Sequence, residues 1–169
     1  LGLSDNSLSG GIPSGIGNLE NLKSVTLQRN YLSGSIPAGI VNLNKLENLN
    51  LQGNVFSGNI PSEIGNLESI KYINLAENDI TGSIPESIVK LSKLEELYLS
   101  DNLLSGTIPE SLYSWNFWKS WWGQSVGGNN YRFANLKLPG PDQTVTCFNG
   151  KSLDLKSEFA KHKYTVLFE

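Results

Sequence analysis

Residues 27–37 read Leu-Gln-Arg-Asn-Tyr-Leu-Ser-Gly-Ser-Ile-Pro, and residues 51–61 repeat the pattern as Leu-Gln-Gly-Asn-Val-Phe-Ser-Gly-Asn-Ile-Pro. The pattern occurs five times at an interval of 24 residues. Repetition at a fixed period of this length is typical of a solenoid, in which each repeat forms one coil that packs only on its neighbours. The recurring columns are Leu3, Leu27, Leu51, Leu75 and Leu99; Asn6, Asn30, Asn54, Asn78 and Asn102; Gly10, Gly34, Gly58, Gly82 and Gly106; Pro13, Pro37, Pro61, Pro85 and Pro109; and Leu19, Leu43, Leu67 and Leu91.

The residues before each asparagine alternate at period two, as in Val25-Thr26-Leu27. This alternation predicts a short, half-buried strand whose apolar residues point inward and whose intervening residues point outward. Strands of successive coils should lie about 4.8 Å apart in a parallel sheet, so five of them would span roughly 24 Å. The glycine and proline columns are typical of turns that follow the strand.

The full pattern, L-x-x-N-x-(L/F/I)-(S/T)-G-x-I-P preceded by L-x-x-L-x, resembles the leucine-rich repeat family, in particular the 24-residue class known from plant receptors. The resemblance covers about residues 1–114. It implies an α/β solenoid with a parallel sheet on the concave face and irregular or 3-10 structure on the convex side. The asparagine amide can both donate and accept, so we expect a stack of asparagines to satisfy backbone groups of neighbouring coils.

Composition and charge exclude several classes of protein. The chain of 169 residues has a net charge of −3 and a pI near 5.2, so it offers no basic surface to nucleic acid. No apolar run reaches the roughly 18 residues of a membrane span. Because Leu1 falls in mid-coil, we expect an N-terminal cap, and any targeting or anchoring segment, to lie upstream of it.

Cysteine and asparagine usage indicates which kind of repeat protein this is. Cys147 is the only cysteine, so the chain lacks the paired cysteines that usually close plant receptor ectodomains, and it contains no Asn-x-Ser/Thr acceptor. Both absences favour an extracytoplasmic bacterial protein, at the cell surface or in the periplasm, over a plant receptor ectodomain. Neither Cys147 nor His162, the only histidine, has a partner at a spacing typical of a metal or catalytic site, so we expect no cofactor.

All four tryptophans follow the last repeat. Trp115, Trp118 and Trp122 would lie on one face of a helix that ends at Gly123. We therefore predict that residues 115–130 form a Trp-rich C-terminal cap over the open end of the core. The alternative is a site where tryptophan faces stack on a carbohydrate or a cation.

Residues 131–169 break the period and predict a β-rich tail. We expect short strands at residues 135–138, 144–148 and 151–155, with a hairpin turn at Asn149-Gly150. A short helix at 157–163 and a strand at 164–168 would follow. This order resembles the start of a thioredoxin-like redoxin domain, although the C-x-x-C motif of that family is absent from the chain. Without that relationship, the tail is a β-rich appendage packed on the cap.

The outward residues of the predicted strands are free of architectural constraint, so they carry the candidate binding site. They are polar and include tyrosine and arginine, which interfaces enrich. We predict a non-enzymatic module that binds a protein or peptide, or serves as a scaffold, within a bacterial envelope complex. The alternatives are the N-terminal part of an extracytoplasmic thiol-disulfide oxidoreductase and a plant receptor-like ectodomain. The candidate binding residues are Gln28, Arg29, Gln52, Tyr72, Asn74, Glu77, Glu96, Tyr98 and Asp101.

Overall fold

Each interior coil of the computed structural model consists of a strand, a second strand and a 3-10 helix, in that order. The structure describes residues 1–107, 109, 136–137, 144–146 and 152–154. The first strands pair in parallel into one sheet, called the concave sheet below, with a register of 24 residues that places Asn48 beside Tyr72 and Tyr72 beside Glu96. Its strands are Ser24–Thr26, Asn48–Asn50, Tyr72–Asn74 and Glu96–Tyr98.

The first coil adds only a bridge to the concave sheet, not the fifth strand that we predicted. Gly2 pairs with Thr26, and the Leu3 N–H donates to the Thr26 carbonyl at 2.9 Å. The cause is that this coil holds only Leu1 and Gly2 of the three strand positions.

A second parallel sheet, which the sequence did not lead us to predict, begins directly after the asparagine column. The Leu-Ser-Gly segment that resembles a turn pairs with the equivalent segment of the next coil, and its glycine accommodates a left-handed backbone within the strand, with φ of +79° at Gly34 and +75° at Gly58. The side of the solenoid that we expected to hold only irregular or 3-10 structure therefore also contains a regular sheet. The strands of this second sheet are Ser9–Gly10, Tyr31–Ser35, Val55–Asn59, Asp79–Gly82 and Leu103–Leu104.

The predicted 3-10 structure is confirmed, and the proline column starts it. The Ile16 N–H donates to the Pro13 carbonyl at 3.0 Å, and the Ile40 N–H donates to the Pro37 carbonyl at the same distance. The 3-10 helices are Ser14–Asn18, Ala38–Asn42, Ile64–Asn66 and Glu86–Lys90.

The core lies between the two sheets and the 3-10 helices and confirms the predicted phase of the strands. Both inward columns of the concave sheet are at most 4% exposed. At the N-terminal end the core opens to solvent, where Leu3 of the second column is 42% exposed and Leu19, of the column that follows the 3-10 helices, is 51% exposed. The buried columns are Val25, Leu49, Ile73 and Leu97, and Leu27, Leu51, Leu75 and Leu99.

The described residues of the tail form short strands, and the predicted turn at Asn149-Gly150 lies outside those residues. Leu136–Lys137 pairs in parallel with Gly106–Thr107, and Thr144–Thr146 forms an antiparallel hairpin with Ser152–Asp154. Leu136 pairs with Gly106 in the same way that Leu104 of the last coil pairs with Gly82 of the coil before it. The tail strand therefore stacks on the last coil as a further coil would. The Trp-rich segment and the predicted elements at 157–168 lie outside the described residues, and the division of the chain into three regions stays a prediction.

Candidate functional site

The ends of the concave strands are fixed by the asparagine column. The Asn54 side chain donates from Nδ2 to the Leu27 and Leu51 carbonyls at 3.0 and 3.1 Å and accepts from the Leu32 N–H at 3.0 Å. Asn30, Asn78 and Asn102 are buried and make the same set of bonds. The prediction that these amides satisfy neighbouring coils is confirmed, and their bonds hold the outward side chains of adjacent strands at fixed relative positions.

The residue before each asparagine adopts a left-handed backbone, which sequence reasoning missed. The φ angles are +54° at Arg29, +63° at Gly53, +55° at Glu77 and +52° at Asp101. This conformation is uncommon for residues other than glycine. Gly53 was the one signal in the sequence that could have revealed it. Three candidate binding residues, Arg29, Glu77 and Asp101, therefore stand in one row at the edge of the concave sheet.

Two tyrosines form an aromatic pair on the last two strands of the concave sheet. The ring centroids of Tyr72 and Tyr98 are 5.6 Å apart, and the planes are tilted by 47°. Both side chains are half-buried, and the Tyr98 hydroxyl donates to Glu96 Oε2 at 2.6 Å. This hydrogen bond, together with burial and the nearby charge, raises the pKa of Tyr98 to about 12. Tyr98 therefore holds the Glu96 carboxylate in place.

A chain of hydrogen bonds joins four more candidate residues. Asn74 donates from Nδ2 to Gln52 Oε1 and to the Tyr72 hydroxyl, each at 3.1 Å, and its Oδ1 accepts from the Ala76 N–H at 3.0 Å. Gln52 in turn donates from Nε2 to Glu77 Oε1 at 2.7 Å. The amide groups of Asn74 and Gln52, which lie in adjacent coils, thus connect Tyr72 to Glu77.

Asn74 has a different position from the one we expected. It was expected to face a ligand, but it is 6% exposed because Gln52 and Tyr72 lie over it from neighbouring positions. Its amide and carbonyl are committed to hydrogen bonds within the sheet. Asn74 therefore positions Gln52 and Tyr72, and any binding role for it is indirect. Ala76 and Ser100, which follow the inward residues Leu75 and Leu99 and so occupy outward positions of the predicted alternation, are also buried.

Gln28 and Arg29, at the N-terminal end of the face, are separate from this network. Arg29 forms an exposed ion pair with Asp5, with Nη1 and Oδ1 3.4 Å apart. Gln28 and Asn48 are half-buried, and they hold the two buried side-chain oxygens that lack a donor within the described part of the chain, Gln28 Oε1 and Asn48 Oδ1. The structure therefore joins six of the nine candidates, with Asp101 next to Glu77 in the edge row, and leaves Gln28 and Arg29 apart.

The opposite edge of the concave sheet carries a row of alternating charge at the 24-residue spacing, namely Lys23, Glu47, Lys71 and Glu95. Lys71 Nζ donates to Glu47 Oε2 at 2.7 Å. This hydrogen bond and the charge of the partner lower the pKa of Glu47 and raise that of Lys71. We did not predict this row, although its alternation is visible in the sequence. Lys71 and Glu47 are thus paired with each other along the solenoid, which leaves these two side chains less suited to a partner.

The 3-10 side offers a shallow groove of 760 Å³ as a competing surface. Ser14 and Glu86, used below as outer-face positions, lie exposed in the 3-10 helices of this side. No aromatic residue lines the groove, so it lacks the kind of anchor that interfaces favour. Its lining includes Asn18, Asn42, Asn66, Lys45, Glu68 and Lys90.

Within the part of the chain that the structure describes, no group of three or more His, Cys, Asp or Glu side chains is placed to hold a metal ion. Over the same residues, no helix combines the length and the apolar character required to cross a lipid bilayer.

Comparisons with known families identify the repeats. One leucine-rich repeat model matches residues 60–104, and a second matches residues 1–19, 21–43 and 45–67. The matched residues include all four strands of the concave sheet. No curated protein matches the chain.

Ectodomains of plant receptors are similar to this chain in structure. The leucine-rich repeat ectodomain of the receptor kinase SOBIR1 from Arabidopsis thaliana is 34% identical, with a TM-score of 0.70 over 83% of this chain and 72% of that one. The Arabidopsis receptor kinase HAESA, in complex with the peptide hormone IDA and the co-receptor SERK1, is 49% identical, with a TM-score of 0.65 over 69% of this chain and 20% of that one. The plant peptide hormone receptor RGFR1, in complex with RGF2, is 39% identical, with a TM-score of 0.66 over 67% of this chain and 18% of that one. The chain spans about a fifth of the length of HAESA and RGFR1.

Proposed function

The chain belongs to the leucine-rich repeat family, and from that premise we propose that it is a non-enzymatic module whose concave sheet binds a protein or peptide. The observation that carries this proposal is the pair Tyr72 and Tyr98, whose rings lie 5.6 Å apart on the outward side of the sheet. Tyrosine combines a large apolar area with a polar tip and loses little conformational entropy on binding.

The hydrogen bonds around the pair support the same conclusion. Tyr72 is fixed by Asn74, and Tyr98 is fixed by Glu96, so both rings are ordered before a partner arrives. A surface that is ordered in advance pays less entropy when it binds. The hydrogen bonds join two adjacent coils, and the contact between the two tyrosine rings extends the ordered surface to a third.

The solved relatives favour a receptor-like ectodomain as the setting for this module. HAESA and RGFR1 were solved with peptide hormones, and SERK1 in the HAESA complex is a co-receptor. A position outside the cytoplasm follows from this analogy. The single cysteine and the missing Asn-x-Ser/Thr acceptor still support the bacterial envelope setting. The redoxin alternative stays a prediction, because Cys147 lies outside the described residues.

A display experiment tests the proposal. A library of short random peptides is selected on the full chain and then sorted on a Tyr72→Ala/Tyr98→Ala variant and on a Ser14→Ala/Glu86→Ala variant. We expect peptide families that bind the wild type and the outer-face variant and lose at least about tenfold in affinity on the tyrosine variant. Peptides that respond only to the outer-face variant, or no specific peptide at all, would contradict the proposal, provided that both variants keep the wild-type circular dichroism and melting temperature.

A further inference from the structure

The hydrogen-bond network of the concave sheet leaves anionic acceptors facing outward. Asn74 uses both N–H groups within the sheet, and Tyr98 uses its hydroxyl proton on Glu96. Glu77 and Glu96 each accept one of these network bonds through one oxygen, so the second oxygen of each carboxylate remains available. The neutral donors left over are the Tyr72 hydroxyl and the second hydrogen of the Gln52 amide. The strongest hydrogen-bonding groups of the concave sheet that can still accept a bond from a partner are therefore carboxylates.

The basic side chains of the described residues do not neutralise these carboxylates. The ion pairs there join Arg29 to Asp5 and Lys71 to Glu47, and neither includes Glu77, Glu96 or Asp101. Arg29 is two coils from Glu77 in the edge row, or roughly 10 Å by the spacing of parallel strands. The half of the sheet that carries the tyrosine pair thus has Glu77 and Asp101 at one end of its strands and Glu96 at the other end, where Lys71 is already paired with Glu47.

A separate observation also indicates a missing donor. Asn48 lies beside Tyr72 in the adjacent strand, and its buried Oδ1 has no donor within the described part of the chain. Buried oxygens without a partner are uncommon, and they cost stability until a donor reaches them. The aromatic rings, the carboxylates and this carbonyl all favour a partner that brings positive charge and several N–H groups.

We propose that the occupant of this face is a peptide segment carrying arginine, whose guanidinium groups stack on the Tyr72 and Tyr98 rings and donate to the Glu96 carboxylate beside them and to Glu77 at the other end of the strands. The proposal rests on the proposed function and names the chemistry of its ligand. Arginine fits better than lysine because its planar group stacks on an aromatic face and presents five N–H donors at once. Paired hydrogen bonds from a guanidinium to a carboxylate are among the stronger polar contacts in proteins.

The test uses the peptide families from the display experiment, all of which require the tyrosines. We expect these families to be enriched in arginine, and replacement of that arginine by citrulline, which has nearly the same shape but no charge, should weaken binding about tenfold or more. Glu96→Gln and Glu77→Gln should each weaken the arginine peptide about threefold to tenfold and leave the citrulline peptide unchanged. Glu68→Gln removes the same charge from the 3-10 side and should change neither affinity.

The outcomes separate this inference from the proposed function. Tyrosine-dependent peptides without excess arginine, or equal binding of the arginine and citrulline forms, would overturn the inference and leave the binding face in place. An equal loss with Glu68→Gln would show attraction to net charge alone and would also overturn it. Absence of any tyrosine-dependent peptide would overturn the proposed function itself. Matching melting temperatures for the three glutamine variants establish that each loss is local.

Discussion

Tyr98 donates its hydroxyl proton to Glu96, two residues earlier on the same strand, across 2.6 Å. The bond ties the outermost aromatic ring of the concave sheet to the carboxylate beside it. Since Tyr72 packs against the same ring, the bond also sets the position of the aromatic pair. The hydrogen bond of a single phenol therefore holds both rings of the candidate site.

This bond predicts that the Tyr98 hydroxyl loses its proton at a higher pH than an ordinary tyrosine does. The pKa is raised to about 12 from the ordinary value of 10.0, first by the hydrogen bond to Glu96, then by burial and by the nearby charges. The folded state favours the protonated phenol, so its contribution to stability is complete below about pH 10 and is lost as the pH rises through about 12. Ring-carbon NMR of tyrosine, assigned with Tyr98→Phe, should show this titration, and Glu96→Gln should lower the pKa. An unchanged pKa in Glu96→Gln would show that the carboxylate is not its cause.

The architecture was predictable because each recurring residue of the repeat has the same structural role in every coil. Period-two alternation identified the concave strands, and their inward columns are buried as expected. The second sheet was missed because a Ser-Gly step followed by Ile-Pro resembles a turn. It becomes a strand only when Asn54 of the next coil accepts the Leu32 N–H and the neighbouring strand pairs with it. That information lies in the stacking and not in a single repeat.

The site was predictable only in part, for a related reason. The predicted alternation of inward and outward residues placed Tyr72, Glu96 and Tyr98 on the outward side of the concave sheet, where they lie in the structure. The burial of Asn74 depends on long side chains from adjacent positions, Gln52 and Tyr72, that happen to reach it. Such side-chain contacts between coils leave no periodic signal in the sequence.

The close packing of the first two 3-10 helices predicts that one glycine cannot be replaced. A Cβ at Gly17 would lie 2.4 Å from the Gly39 carbonyl oxygen, whereas a Cβ at Gly15, in the same helix, would meet nothing nearer than Asn18 Nδ2 at 3.9 Å. Gly17→Ala should therefore lower the free energy of unfolding by about 1 to 3 kcal/mol. The Gly15→Ala control should change it by less than about 0.5 kcal/mol. Urea unfolding of the two variants measures the difference, and equal effects would mean that the helices are farther apart.

Two leucines of one column test the depth of the core. Leu75 is 1% exposed between coils, whereas Leu3 occupies the equivalent position of the first coil and is 42% exposed. Leu75→Ala should cost about 2 to 5 kcal/mol because interior coils cannot collapse into the cavity. Leu3→Ala should cost about 0.5 kcal/mol or less. Thermal and urea unfolding report both values. A large cost at Leu3 would show that this end of the solenoid is covered in solution.

Asn74 and Asn50 occupy equivalent positions on neighbouring strands, and they make the sharpest test of the amide network. Asn50 is half-buried, and its Oδ1 accepts from the Gln52 N–H at 3.2 Å. Removing the Asn74 side chain would leave the buried Ala76 N–H without an acceptor. It would also remove the N–H groups that donate to Gln52 and to Tyr72. Asn74→Ala should therefore cost about 1 to 3 kcal/mol, against less than about 1 kcal/mol for Asn50→Ala.

Substitution of Asn74 also tests whether this residue contributes to peptide binding by positioning Tyr72 and Gln52. If Asn74 acts through Tyr72 and Gln52, Asn74→Ala should weaken a tyrosine-dependent peptide. Calorimetric titration of this variant, with Asn50→Ala as the matched control, measures the loss. If Asn74→Ala destabilises the fold but binds the peptide with wild-type affinity, the network serves stability alone, and the aromatic pair keeps its position without it.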